Sequence, residues 1–151
     1  MKKDTTLNQL QQMVTDVANT LDAIADGVAY LDEDGNVFTC RETTDGYIWD
    51  FGGANVYERD HAPKDAEQMD ISDYIVDALD IEVTHNLNGT YCGASVTLAY
   101  GGPSIYLNTR YGRVEGYWGA DEVFVPISDA ANNEVDEYIE EVASYMFRGE
   151  R

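Results

Sequence analysis

The 151 residues carry 29 acids against 9 bases, a net charge of −20, with 44% apolar and 11% aromatic residues. That apolar fraction sustains one hydrophobic core at this length and excludes intrinsic disorder, while runs such as "YIV" and "VFV" are too short to span a bilayer. The charge has the wrong sign for direct binding of DNA or RNA, or for attraction to an anionic membrane, so the partners it suits are cations and basic proteins.

A single domain over 1–151 is expected. The amino terminus, "MKKDTTLNQLQQ", lacks the apolar run of a secretory signal, and Cys40 and Cys92 make no disulfide framework, which together point to the cytoplasm.

Leu7, Leu10, Val14, Val17, Leu21, Ile24 and Val28 recur at helical spacing and predict a first helix over about 6–27. Thr6 and Gln9 suit a capping box at its start, and Gly27 suits a stop. A seam this regular fits packing on the chain's own sheet, with homodimerisation through the same helix as its second use.

Residues 28–64 read as a hairpin and a loop. "DEDGN" has the residue types of a calcium loop, but with Asp32 first, Gly35 falls fourth instead of sixth and the twelfth position is Thr43, not glutamate. A turn with Gly35 at positive φ explains the same residues. In "GYIWDF", Tyr47, Trp49 and Phe51 alternate on one face of a strand, and 54–64, with His61 and Pro63, reads as loop.

A second helix is expected over 65–80, burying Ile71, Tyr74, Ile75, Ala78 and Leu79. Opposite them, Asp70, Asp73, Asp77 and Asp80 form a stripe with no base inside it. Each like-charge contact in such a stripe costs roughly 0.2–0.5 kcal/mol, so its presence asks for a reason.

Residues 81–127 read as an antiparallel meander with turns at Asn88-Gly89, Gly101-Gly102-Pro103, Tyr111-Gly112 and Gly119, leaving no room for crossover helices. The last helix is expected over 128–147 from a Ser128 or Asp129 cap, burying Ala131, Val135, Tyr138, Ile139, Val142 and Met146 and exposing Asp136, Glu137, Glu140 and Glu141. The fold class is therefore α+β: an antiparallel β-sheet meander packed with an N-terminal, a middle and a C-terminal α-helix.

The charge is segregated along this plan. Residues 83 to 114 contain no acid, 65 to 82 contain seven acids and no base, and 114 to 147 contain nine acids and no base. A general requirement for solubility would fall on strands and helices alike, so the pattern favours concentrated negative surfaces.

Signatures of chemistry are absent. His61 and His85 lie in no metal-ligand spacing, Cys40 and Cys92 form no CxxC pair, and no GxSxG, P-loop or GxGxxG occurs. Neither a metal, a cofactor nor an enzyme is expected. Tyr91, Tyr100, Tyr106, Tyr111 and Tyr117, with Trp118, fit both sheet propensity and a protein interface.

The expected function is mimicry of nucleic-acid charge, with Asp70, Asp73, Asp77, Asp80, Asp136, Glu137, Glu140 and Glu141 engaging the lysines and arginines of a nucleic-acid-binding protein. On a helix the aspartate stripe would repeat every ~5 Å, against ~3.4 Å per phosphate along one strand of a duplex. The small, cysteine-poor, strongly acidic α+β form resembles the anti-restriction and anti-CRISPR proteins of phages and mobile elements, several of which are DNA mimics. The block "GGPSIYLNTRYGRVEGYWG" with "DAANNEVDEYIEEVASYMF" is also similar to small uncharacterised proteins of phages and conjugative elements. The resemblance implies a nuclease or a CRISPR or restriction effector as partner, in the cytoplasm of a host cell. The alternative is an acidic adaptor that binds through the tyrosine-rich sheet or the first helix, its charge serving solubility.

Overall fold

The computed structural model describes residues 2–149, with side chains over 6–145. Helix α1 runs Lys2–Ala25, so Thr6 lies inside it and not at its cap. Gly27 ends it at φ +74°, where its N–H bonds the Ile24 carbonyl and the Val28 N–H bonds the Ala23 carbonyl, the paired closure that a left-handed glycine permits.

Two antiparallel sheets follow: a five-stranded sheet where a hairpin and loop over 28–64 were expected, with a strand at Val56–Arg59 inside the expected loop, and after it the expected meander. The first contains β1 (Ala29–Leu31), β2 (Val37–Thr43), β3 (Gly46–Asp50), β4 (Val56–Arg59) and β5 (Glu67–Gln68), in the order β4-β3-β2-β1-β5. The β1–β2 turn is the expected one. Gly35 has φ +81°, and an Asp32 carboxylate oxygen accepts from the N–H groups of Asp34 and Asn36.

The expected helix over 65–80 is mostly absent. Only α2 (Ile71–Ile75) is helical. Before it, Glu67 and Gln68 pair with Leu31 and Tyr30; after it, the Leu79 N–H already bonds the Thr97 carbonyl. Backbone partners on both sides thus outweigh a helical pattern that also carried like-charge repulsion. Ile71 and Ile75 are buried and Tyr74 and Ala78 half-buried as expected, but Leu79 is 64% exposed.

The second sheet is a plain meander: β6 (Asp80–His85), β7 (Tyr91–Ala99), β8 (Ser104–Asn108), β9 (Arg113–Trp118) and β10 (Asp121–Pro126), neighbours in that order. Its turns fall at the expected glycines. Helix α3 (Asp129–Gly149) starts at Ser128, whose hydroxyl accepts from the Ala131 N–H.

Helices α1 and α3 cover one face of the second sheet, α1 across β9 and β10 and α3 against β7 and α1. Leu10, Val14 and Leu21 from α1 and Val135 and Ile139 from α3 meet Val96, Ile105, Leu107 and Val114 in one core. Each such side chain contributes about 1.5–3 kcal/mol on full burial. Leu10, Val14, Leu21 and Ile24 of the heptad seam are thus buried in the chain's own core, while Val17 is half-buried and Leu7 exposed. Gly116 sets the distance of closest approach: a Cβ there would collide with Val14 and Leu10. No helix among the described residues is long and apolar enough to cross a membrane.

Candidate functional site

The aspartates of the expected stripe have four different settings. Asp70 caps α2, and the Asp73 carboxylate folds back to accept from the Asp70 N–H at 3.0 Å. Asp77 lies in the turn after α2, and Asp80 opens β6. They do not form one helical row, and the ~5 Å repeat is not realised.

The acids of α3 divide by helical face. Asp136 is half-buried and accepts from the Tyr91 hydroxyl at 2.6 Å, so it ties α3 to β7 and is not a free surface charge. Burial, followed by the bond to Asp136, pushes the Tyr91 phenol above its ordinary range. Glu137, Glu140 and Glu141 are exposed as expected. Val142 is 38% exposed, and Ala143 takes the inward position; the Met146 side chain lies outside the described residues.

What the fold does bring together is Asp70 with Glu134, Glu137 and Glu141, along one open groove between α2 and α3. Glu134 was not among the expected contacts. The signal was present, since 134, 137 and 141 step by three and four residues onto one face of the helix. Partial loss of solvent at this still exposed side chain, then the fields of Asp70 and Glu137, hold the Glu134 carboxyl above its usual range. The neighbouring acids thus add to an effect that loss of solvent begins.

A second constellation lies on the face of the second sheet turned away from the helices. Glu115 is only 8% exposed there, although no helix covers it. Arg113 Nε donates to it at 2.8 Å, the Tyr117 hydroxyl at 3.2 Å and Asn108 Nδ2 at 3.5 Å. The Arg113 guanidinium lies over Phe124 at 4.1 Å and Tyr111 at 5.0 Å, and Tyr117 meets Tyr106 and Phe124 edge-on. Tyr106, Tyr111 and Tyr117 thus share this open face, whereas Tyr91 and Trp118 pack against the helix-side core and Tyr100 is 77% exposed.

Among the described residues, no group of three or more histidine, cysteine, aspartate or glutamate side chains could hold a metal ion. Cys40 is buried and Cys92 half-buried, both as free thiols. No family model, curated protein or solved structure matches the chain.

Proposed function

We propose that this chain is a binding protein, not an enzyme, which docks the basic surface of a nucleic-acid-binding protein and occludes it, in the manner of an anti-CRISPR or anti-restriction inhibitor. The convergence of Asp70, Glu134, Glu137 and Glu141 on one groove carries the reading. A chain of net charge −20 that also crowds its acids across two elements has a directed negative surface, which raises association rate with a cationic partner and selects for it. The mimicry is one of charge density and not of phosphate spacing, because the aspartate stripe is broken. Asp73 and Asp136 hold the fold together; Asp70, Glu137 and Glu141, with Glu134, form the contact surface, flanked by Asp77, Asp80 and Glu140.

Capture from a host lysate tests it. Immobilised chain should recover nucleic-acid-binding proteins at low salt, lose them steeply at moderate salt, and release them when duplex DNA or RNA is added. Recovery of other partners, or retention in the presence of nucleic acid, would defeat the proposal.

The adaptor reading is favoured by a different observation, the Arg113, Tyr106, Tyr117 and Phe124 cluster on the uncovered sheet face, since arginine and aromatic residues dominate interface energetics. A partner held there would respond little to salt.

A further inference from the structure

The first sheet carries a feature that the acidic groove does not use. Phe38 is 2% exposed and stacks on Tyr30 at 5.6 Å, Trp49 at 5.3 Å and Phe51 at 4.7 Å. Against Phe38, Trp49 and Phe51 opens a cleft of about 250 Å³, with the carboxylates of Asp32, Glu33 and Asp65 on its rim.

Asp32 is occupied by the β1–β2 turn. Glu33 and Asp65 are exposed and have no ion-pair partner among the described residues. Lys64 and His61 stand on the same rim; with the three carboxylates and one ammonium, the rim remains negative. The His61 carbonyl accepts from Trp49 Nε1 at 3.2 Å, and its ring meets the indole edge-on, so Trp49 is held in place.

One of the chain's own guanidinium groups rests on this ring system beside the cleft, whose lining it does not enter. Arg59 Cζ lies 4.7 Å from the Trp49 ring centre and 5.6 Å from that of Tyr57. We infer that the cleft binds an arginine side chain of a protein partner, its guanidinium laid on the rings and its N–H fork turned to Glu33 and Asp65. Aromatic faces attract a cation through their quadrupole, and arginine adds a planar fork that matches carboxylates, which an ammonium lacks. The inference does not depend on the α2–α3 groove, and either can fail alone.

The test follows the two indole N–H signals of the ¹⁵N-labelled full chain, titrated with N-acetyl-arginine methylamide and with its neutral citrulline counterpart. The Trp49 signal should move saturably through the millimolar range expected of one side chain, with Trp118 as a stationary reference. Citrulline should bind about tenfold more weakly, because it keeps the shape and loses the charge. The Glu33→Gln/Asp65→Asn variant, altered only at exposed positions, should bind arginine about three- to tenfold more weakly. A stationary Trp49 signal, equal response to citrulline, or undiminished binding by the variant would overturn the assignment.

Discussion

Asp70, at the start of α2, and Glu134, on α3, line the same groove although 64 positions separate them in the chain, and the field of Asp70 adds to burial in holding the Glu134 carboxyl above its ordinary range. Ionised, that carboxyl works against the fold; the shared groove itself is the geometric basis of the proposed role in binding.

The cost has a sign that pH reveals. A carboxyl whose folded pKa is raised binds its proton more readily in the folded state, so ionising it destabilises the fold at pH above that raised value; the penalty fades as pH falls through it towards the unfolded value. Glu134→Gln should therefore stabilise at neutral pH, by about 0.5 kcal/mol or less at this exposed site, and the gain should vanish once carboxylates are protonated. Urea denaturation at neutral and acid pH checks it.

Asp73 and Asp77 should part company despite similar sequence settings. Asp73→Ala removes the acceptor for the Asp70 N–H and the acid in the first turn of α2, and should cost about 0.5–1 kcal/mol. Asp77→Ala should fall within about 0.5 kcal/mol of the parent, as surface changes usually do. Thermal unfolding of the two variants distinguishes them.

Tyr91→Phe deletes the donor to Asp136 and leaves a half-buried carboxylate without it, for an expected loss of about 1–3 kcal/mol. The Tyr91→Phe/Asp136→Asn double variant should recover part of that loss, and a double-mutant cycle by denaturant unfolding measures the coupling.

Arg113→Ala strips the shortest bond from nearly buried Glu115 and should cost about 1.5–3 kcal/mol. Gly116→Ala should cost about 1–3 kcal/mol by pushing α1 off the sheet through Val14 and Leu10. Equilibrium unfolding in guanidinium chloride reads both.

The parts legible in the sequence were those with strong local signals. The α1 seam, the Gly35 turn and the glycine-punctuated meander all rest on periodicity or turn chemistry, and each is found in the fold. The helix over 65–80 failed because its ends are claimed by strand partners far away, Tyr30 and Leu31 on one side and Thr97 on the other, which no local pattern records. The same holds for the site. Spacing could group Glu134 with Glu137 and Glu141, but only the packing of α2 on α3 brings Asp70 to them, and only sheet register gathers Arg113, Tyr106 and Tyr117 around Glu115.

The most direct measurement is the affinity of a captured basic partner for the parent chain and for a folded Asp70→Asn/Glu134→Gln/Glu137→Gln/Glu141→Gln variant, each across a salt series. The variant should bind about tenfold or more weakly at low salt and with a shallower salt dependence, because the charges that attract the partner are gone. Equal affinity with an unchanged salt slope would contradict it.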